Sequence, residues 1–497
     1  MLKPKLILIL ICIFFLVTRL IKINEIPPSV YWDEASIGYN AYSISQTGKD
    51  EWGEWMPLHF RAFGEFKLPV YIYSTVPFVK IFGLNEFSVR IPAVLFSLGV
   101  VILTYLLTKR LTGKEWTALI SSFFVAISPW FFIFSRIGYE ATAGLMFYLL
   151  AIYTYLGYAK NKYSIFFATL FFILSMYSYN SFRLISPITI LLLLAFDVKN
   201  LSAKLSKSKL SIALSVVILM LALVPVYRLY VYDAGASRLQ VVKSSDYIHN
   251  YLSHFNLDFL LKGDKNSRSQ QAGFGQIYFS DLILLALGIY VIYRKRKENL
   301  LPLMLLLLGP VPAVITRESP HALRAISAIP FICIITAIGA SYINEKIGWK
   351  NIFGYIVVIV FLTFFANYFI NFLTTYPTNS SKDWQYGYKK IFMDFKDEFS
   401  KYDKVIISDE YAQPYIFALF YLKYPPQNLA NEIIRNPVSE WGFSTVSKFN
   451  KFEFRKVDSS ENLEGALVFT DKEIQDKKAV ETVNFLDGSN AFFVYHD

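Results

Sequence analysis

Residues 6–20 of this 497-residue chain read LILILICIFFLVTRL, and a long polar and aromatic segment that begins YWDE at residues 31–34 follows them. The apolar run comes after Lys3 and Lys5 and lacks an Ala-x-Ala cleavage motif, so we expect an uncleaved signal anchor. Two adjacent carboxylates then stand at the predicted membrane surface. A carboxylate in this position can reach both water and a lipid head group.

The amino-acid composition indicates a membrane protein. Hydrophobic residues make up 54% of the chain and charged residues 18%, whereas soluble domains have about 25% charged residues. The two cysteines, Cys12 and Cys333, lie in apolar runs, which excludes a disulfide framework and a cysteine metal motif. The net charge of +11 lies mostly in short loops between apolar segments. This distribution follows the positive-inside rule and gives no reason to expect a nucleic-acid partner.

Eleven segments are apolar enough to be transmembrane helices, which need about 17–25 residues each. They are centred near residues 14, 98, 125, 148, 170, 190, 219, 285, 307, 332 and 361. With a cytoplasmic N-terminus, every inner loop is basic, from Lys109 and Arg110 to Lys346 and Lys350. The pattern predicts an α-helical polytopic plasma-membrane protein with about 11 transmembrane helices, whose C-terminal part is extracytoplasmic.

We expect two domains. Residues 1–372 form the transmembrane domain, with large outer loops at residues 24–87 and 228–276, and residues 373–497 form an extracytoplasmic α/β domain. The second domain is rich in Lys and Asp, and its short β-type runs alternate with a helical stretch (residues 405–408, 413–424, 466–469 and 492–495).

The adjacent carboxylates Asp33 and Glu34 have two interpretations. They form a general base at the membrane face, or they are loop acids that cap a helix beginning at Ala35. The flanking Tyr31 and Trp32 fit an interfacial aromatic belt in either case.

Two further outer segments carry opposite charges. Glu65 and Lys67 lie just before a proline. They either belong to a turn or contact a metal ion or a phosphate. Arg136 and Glu140 have the i,i+4 spacing of a surface ion pair, which contributes little stability. Their place on the same outer side as Asp33 makes them candidates for the same site.

A fourth cluster contains His321 and Arg324 at the start of an apolar run. Arg324 lies about one turn into this run, where a charge is costly and usually functional, so we expect an anionic lipid head group as its partner. All four clusters lie on the outer side under one topology. Chance alignment of short outer loops is the alternative to a shared site.

Nucleotide-binding motifs are absent from the sequence. It has no Gly-x-x-x-x-Gly-Lys, no Gly-x-Gly-x-x-Gly and no Asp-x-Asp. We therefore expect no nucleotide cofactor. An enzyme outside the cytoplasm that lacks nucleotides needs another activated donor, and a lipid-linked phosphate held by cations at the membrane face meets that need.

The chain resembles the GT-C class of membrane glycosyltransferases that use polyprenyl-phosphate sugars. This group contains the protein O-mannosyltransferases (glycosyltransferase family 39) and the lipid A aminoarabinose transferase. The resemblance is best over residues 25–190 and continues at residues 321–330. Its motifs are Asp33-Glu34, Glu65-Phe66-Lys67-Leu68-Pro69, Val89-Arg90-Ile91-Pro92 with Phe96, Ser128-Pro129 ahead of Arg136 and Glu140, and His321 with Arg324.

The resemblance implies roles for several of these residues. Asp33 matches the carboxylate that deprotonates the acceptor, and Glu65 and Lys67 match positions associated with a metal and the carrier phosphate. Two departures stand out: Lys67-Leu68-Pro69 replaces Lys-Pro-Pro, and Phe66 separates Glu65 from Lys67. The second departure puts a metal role for Glu65 in doubt. The expected site comprises catalytic Asp33 and Glu34, phosphate-binding Lys67, Arg324 and Arg136, candidate metal ligands Glu65 and His321, and the further residues Arg90, Glu140, Tyr31 and Trp32.

The expected activity is inverting transfer of a sugar from a polyprenyl-phosphate carrier to a hydroxyl of a protein, lipid or glycan. The carrier phosphate is a good leaving group, so cations on the phosphate and a carboxylate base on the acceptor are sufficient. A divalent metal ion is a further candidate, with unknown identity. The alternative function is a flippase or transporter of lipid-linked saccharides, which usually has charges along its spans and two related halves.

Overall fold

The computed structural model of the protein describes residues 3–63, 65–157, 161–198, 208–231, 243–294, 296–347, 352–437, 444–457, 461 and 463–496. A helix lies at each of the eleven predicted span centres. These helices are Pro4–Leu20, Glu86–Thr112, Glu115–Ile127, Glu140–Leu156, Ser164–Met176, Asn180–Phe196, Lys209–Val231, Phe279–Arg294, Arg296–Leu308, Ile329–Ile347 and Ile352–Thr374.

The number of helices that cross the membrane remains a prediction. Within the described ranges, four helical segments are both long and apolar enough to do so: Glu86–Thr112, Lys209–Val231, Ile326–Lys346 and Gly354–Thr374. The other apolar helices are shorter and have 10–17 residues. A helix that spans the apolar core needs about 20 residues, so these shorter helices need flanking turns to reach both surfaces.

The longest of these helices, Glu86–Thr112, has clear signals at both ends. The Asn85 side chain accepts a hydrogen bond from the backbone N–H of Ser88 at 3.0 Å, which satisfies one of the free donors of the first turn. Gly113 ends the helix in the left-handed conformation at φ 68°, which a residue without Cβ adopts at low cost. This helix carries Arg90 on its second turn.

The first outer loop is more structured than the sequence predicts. It contains a helix at Trp32–Thr47, which we call the loop helix, a hairpin of strands β1 (Phe60–Ala62) and β2 (Glu65–Lys67), and a helix at Pro69–Phe82. The loop helix begins at Trp32 rather than Ala35, and no side chain caps it. Its first turn therefore contains both carboxylates, and the capping interpretation of Asp33 and Glu34 is wrong.

The middle outer region has two short helices, Tyr247–Ser253 and Leu257–Lys262. Residues 232–242 of the predicted 228–276 loop lie outside the described residues. Short helical turns also occur at Pro129–Phe132, Val311–Val314, Ile326–Ala328, Tyr376–Ser380 and Phe399–Lys401.

The C-terminal part contains a mixed sheet flanked by helices, as the sequence predicts. The strands are β3 Lys404–Ile407, β4 Ile434–Arg435, β5 Val446–Phe449, β6 Phe452–Phe454, β7 Ala466–Thr470, β8 Glu481–Asn484 and β9 Asn490–His496. These seven strands follow the order β4-β5-β6-β3-β7-β9-β8, in which β3 is parallel to β6 and β7 and the other pairs are antiparallel. The helices are Tyr386–Asp394, Pro414–Tyr421 and Pro426–Glu432.

The C-terminal part packs directly on the first outer loop. Helix Pro414–Tyr421, which we call the tail helix, has all of its residues buried and shares one hydrophobic cluster with the loop helix. A Cβ added to Gly38 of the loop helix would lie 2.6 Å from Phe420 and 2.7 Å from Val89. Glycine at position 38 thus allows the tail helix to approach closely. The two parts are joined by a common core, which the expectation of two domains did not include.

Candidate active site

Asp33 and Lys67 form an ion pair between the loop helix and the β1–β2 hairpin. Lys67 is the last residue of β2 and donates a hydrogen bond from Nζ to Oδ1 of Asp33. The Lys67 side chain is 4% exposed, and that of Asp33 is 19% exposed. Solvent can therefore reach the carboxylate, while the ammonium is held behind it.

Three carboxylates surround the Lys67 ammonium. Nζ lies 3.9 Å from Oε1 of Glu65 in addition to its contact with Asp33. Burial lowers the pKa of Lys67, but the charges of Asp33, Glu140 and Glu65 outweigh it and raise the pKa above its ordinary value. Lys67 is thus a permanent cation near neutral pH.

Glu140 joins the hairpin to the transmembrane part. It is the first residue of helix Glu140–Leu156, and its Oε1 accepts a hydrogen bond from the backbone N–H of Leu68 at 3.2 Å. A carboxylate in the first turn is also favoured by the helix dipole. The surface ion pair with Arg136 that the i,i+4 spacing suggests is not formed, because Arg136 points elsewhere.

Arg136 is fully buried and binds backbone carbonyls. Its Nη1 donates to the carbonyls of Thr18 and Arg19, both at 2.8 Å, and its Nη2 donates to those of Ile21 at 2.7 Å and Ile26 at 3.1 Å. These carbonyls lie at and beyond the end of the first helix, where backbone acceptors lack helical partners. In this conformation Arg136 fixes the chain that leads to Tyr31 and has no route to a carrier phosphate.

Glu34 is equally inaccessible, since its side chain is 0% exposed. Arg90 donates to its Oε1 from Nε at 3.1 Å and to its Oε2 from Nη2 at 3.2 Å. The backbone N–H of Gly138 donates to Oε1 at 2.7 Å. The remaining N–H groups of Arg90 donate to the carbonyls of Ile23, Pro27 and Ser29. The geometry gives Glu34 and Arg90 a positioning role beneath Asp33.

Arg268 is a site residue that sequence reasoning missed. Its Cζ lies 5.1 Å from the ring centroid of Tyr31 and 5.2 Å from that of Trp32. Its guanidinium makes no hydrogen bond or ion pair to the described residues. Burial lowers the pKa of Arg268, but the effects of Tyr139, Tyr31, Asp33 and Asp383 are larger and raise the pKa above its ordinary value. Its position as a cation in a predicted outer loop, against the positive-inside pattern, is the sequence signal that could have identified it.

Backbone contacts hold the start of the loop helix against the tail. The Trp32 N–H donates to Oε1 of Gln385 at 3.1 Å, and Nε2 of Gln385 donates to the carbonyls of Tyr411 and Ala412. The Tyr31 ring meets the Trp384 ring edge-on at 5.4 Å. The tail therefore orients the residue that precedes Asp33.

The fourth cluster faces the same region. Arg324 donates from Nη1 to Oγ1 of Thr316 at 2.7 Å and from Nη2 to Oε2 of Glu318 at 3.0 Å. Burial, with the nearby charges of Arg324, His254 and Arg268, lowers the pKa of His321 to about 3. His321 is therefore neutral at physiological pH.

A chain of electrostatic contacts links the four sequence clusters. Burial raises the pKa of Tyr179, Arg324 opposes this rise, and Tyr139 and Glu140 add to it. Arg324 from the fourth cluster and Glu140 from the third thus lie within electrostatic range of one phenol. Glu140 in turn acts on Lys67, which contacts Asp33. The fold thus connects residues of the four clusters, and their function as one site stays a prediction.

The residues present do not fit a metal ion. Within the described part of the chain, no three His, Cys, Asp or Glu side chains are grouped so that they can hold one. Glu65 is directed to the Lys67 ammonium at 3.9 Å. The candidate ligands Glu65 and His321 therefore lack a third partner, and the chemistry described below uses no metal.

One family model matches part of the chain. Residues 67–227 match the family model for dolichyl-phosphate-mannose-protein mannosyltransferases. A sequence search of curated proteins gives no significant match.

Solved structures share the fold. ArnT from Cupriavidus metallidurans in the apo state has a TM-score of 0.56 at 12% identity over 85% of this chain and 84% of that chain. The oligosaccharyltransferase of Archaeoglobus fulgidus, in complex with Zn and sulfate, has a TM-score of 0.52 at 14% identity over 84% of this chain. This chain covers only 61% of that longer archaeal protein. At these identities the structural matches show a common fold, and the family model matches about a third of the chain.

Proposed function

We propose that this chain is an inverting glycosyltransferase that moves a sugar from a polyprenyl-phosphate carrier to a hydroxyl acceptor at the outer membrane face. The observation that carries the proposal is the Asp33–Lys67 pair beside the Arg268 guanidinium, which makes no hydrogen bond or ion pair to the described residues. One carboxylate that solvent reaches thus lies against the Lys67 ammonium and within electrostatic range of Arg268. Related structures have been solved with undecaprenyl phosphate and with dolichol-phosphate, which supports a lipid-phosphate ligand for this fold.

Asp33 is the general base. Its carboxylate is the accessible member of the Asp33–Glu34 pair, because Glu34 is enclosed by Arg90 and Gly138. As the acceptor oxygen forms its bond to C1 of the donor sugar, Asp33 takes the hydroxyl proton. The bond from C1 to the carrier phosphate oxygen breaks on the opposite face, and the configuration at C1 inverts.

The phosphate is bound by Arg268, Arg324 and Lys67. The Arg268 guanidinium makes no hydrogen bond or ion pair to the described residues, and its Cζ lies 5.1 Å from the Tyr31 ring centroid and 5.2 Å from that of Trp32, so this planar group can make a bidentate contact with phosphate. The Arg324 side chain is 19% exposed and forms an ion pair with the more exposed Glu318. Lys67 contributes from behind Asp33. These cations stabilise the charge that develops on the departing phosphate, so the reaction needs no strong general acid.

Buried polar groups keep the base in position. Arg136 and Arg90 together bind seven backbone carbonyls between Thr18 and Ser29, which fixes the chain just before the loop helix. Catalysis is sensitive to displacements of about 1 Å. The role of Arg136 in this proposal is thus positioning, and it replaces the phosphate contact expected from the sequence.

The test uses the purified chain in lipid nanodiscs with a polyprenyl-phosphate sugar, and it measures release of polyprenyl phosphate together with donor binding. Asp33→Asn keeps the shape of the side chain and removes the base, so we expect turnover to fall by at least a thousandfold while donor binding persists. Full turnover by Asp33→Asn would overturn the catalytic assignment.

A second pair of variants tests the phosphate site. Arg268→Gln should weaken binding of undecaprenyl phosphate roughly 10- to 100-fold, since a hydrogen bond to a charged group contributes about 1.5–3 kcal/mol. Arg317→Gln is the matched control, because Arg317 is an exposed arginine in an outer segment whose Nε donates only to the Lys243 carbonyl. Equal affinities for the two variants would place the carrier phosphate elsewhere.

A further inference from the structure

A cavity separates the loop helix from the C-terminal sheet, next to the proposed base. Its volume is about 220 Å³, and its lining includes Trp32 and Phe63 from the first outer loop. The opposite side is formed by the tail, with Asp409, Gln413 and Thr445 among its residues. A cavity of about 150 Å³ already accommodates a benzene ring, so this one has room for a pyranose ring.

The two aromatic residues of the cavity lining lie next to Asp33 and Lys67. Trp32 directly precedes Asp33 in the first turn of the loop helix. The centroid of the Phe63 ring lies 5.8 Å from Nζ of Lys67. A molecule in the cavity therefore contacts the residue that precedes the proposed base and a ring that lies 5.8 Å from the Lys67 ammonium.

One buried acceptor in the lining has no partner. Gln413 is 5% exposed, and its Nε2 donates to the carbonyl of Ser444 at 3.2 Å. This bond fixes the amide orientation, because only the nitrogen can donate to a carbonyl. The other end, Oε1, is buried and accepts no hydrogen bond from the described residues. An unsatisfied buried acceptor is costly, and a ligand hydroxyl would satisfy it.

The backbone that presents Gln413 is strained. Ala412 and Gln413 are consecutive residues other than glycine in the left-handed region, at φ 62° and 54°. Gln385 holds the turn by donating to the Ala412 carbonyl at 2.9 Å while it accepts from Trp32. Such strain persists where the surroundings enforce it, and it is concentrated at ligand sites. The turn is thus coupled to the start of the loop helix.

We infer that this cavity is an acceptor subsite that binds a saccharide. Asp409, Gln413 Oε1 and Thr445 offer acceptors for hydroxyl protons, and Trp32 and Phe63 offer apolar surfaces for the C–H faces of a sugar ring. The described lining has a carboxylate and no Lys or Arg, which disfavours an anionic acceptor such as a phosphorylated head group. The inference rests on the proposed function and specifies its acceptor: a neutral, hydroxyl-rich glycan.

The test measures binding of methyl α-glucoside, methyl α-mannoside and methyl β-galactoside to the full chain in detergent, by saturation-transfer NMR. We expect at least one glycoside to bind wild type, and Gln413→Ala to weaken it at least tenfold. Gln427→Ala is the matched control, because Gln427 is an exposed glutamine in helix Pro426–Glu432 of the same part of the chain. If Gln413→Ala does not fold, as judged by its melting temperature, Asp409→Asn takes its place with the same expectation.

The outcomes separate this inference from the proposed function. Asp33→Asn should bind the glycoside like wild type and lose turnover. If Asp33→Asn is inactive but no glycoside binds, or if Gln413→Ala and Gln427→Ala bind equally, the subsite is refuted while the transferase proposal stands. If a Ser- or Thr-containing peptide is the ligand that Gln413→Ala loses, the acceptor is a protein and the saccharide assignment is wrong. Glycoside binding with an active Asp33→Asn variant supports the subsite and refutes the proposed base.

Discussion

The buried pair of Glu34 and Arg90 gives the sharpest test of which outer carboxylate does the chemistry. All five N–H groups of the Arg90 guanidinium have acceptors, and Glu34 provides two of them. Glu34→Ala removes both, and it also leaves the Gly138 N–H without its acceptor. The variant thus keeps a buried positive charge that has lost its counter-ion.

The expected cost follows from this geometry. Breaking a fully buried ion pair by removing one partner destabilises a protein by about 3–5 kcal/mol. The entropy of unfolding is roughly 2.1 cal/mol/K per residue, which for 497 residues is about 1 kcal/mol/K if the chain unfolds as one unit. Glu34→Ala should therefore lower the melting temperature by about 3–5 °C.

Thermal unfolding in detergent, followed by tryptophan fluorescence, measures this shift. Glu25→Ala is the control, since Glu25 is 69% exposed and lies 3.8 Å from an exposed Lys22. Surface pairs contribute about 0–1 kcal/mol, so its melting temperature should change by less than about 1 °C. A Glu34→Ala variant that melts like wild type and yet loses turnover would show that Glu34 acts in the chemistry, and the positioning role would be wrong.

Three further predictions concern the contacts around the site. Gly38→Ala should cost about 1–3 kcal/mol through overpacking, because its Cβ would lie 2.6 Å from Phe420, whereas Gly354→Ala, with open space around it, should melt like wild type. His321 has its pKa lowered to about 3, so the stability it contributes is present above its unfolded pKa near 6.5 and is lost as pH falls. Between pH 7 and pH 5 wild type should lose about 2 kcal/mol more stability than His321→Gln, seen as a larger drop in melting temperature; equal drops would contradict a buried neutral His321. A chain truncated after residue 374 should fail to give a monodisperse peak in size-exclusion chromatography, because the tail helix shares the core of the loop helix, and a stable truncated chain that binds undecaprenyl phosphate would contradict that packing.

Several features of this protein are determined by the sequence itself. Apolar runs of sufficient length become helices because backbone hydrogen bonding within the run is local, and each predicted centre falls in one. The short strands and the helix after residue 373 are visible because the period of apolar residues along each element is a local property, although the pairing of the strands is not. The charge clusters that include Asp33 and Lys67 can be recognised in the sequence, because ionisable side chains are rare in a chain with this many apolar segments.

The tertiary structure alone decided which of these charges are accessible. Glu34 and Asp33 are neighbours, but one helical step of about 100° turns Glu34 toward Arg90, 56 residues away, and leaves Asp33 at the surface. Arg136 resembles a phosphate ligand in the sequence, and only the packing of its turn against the end of the first helix shows that its Nη1 and Nη2 donors bind backbone carbonyls.

The same is true of the contacts that complete the site. Arg268 reaches Tyr31 from a distant loop, and Gln385 reaches Trp32 from the tail. Spacing along a chain predicts the period and face of a side chain, because these follow from helix and strand geometry. It does not predict which side chains are brought together where distant elements cross. In this protein those contacts decide which carboxylate is accessible as the proposed base and which residues hold it in position.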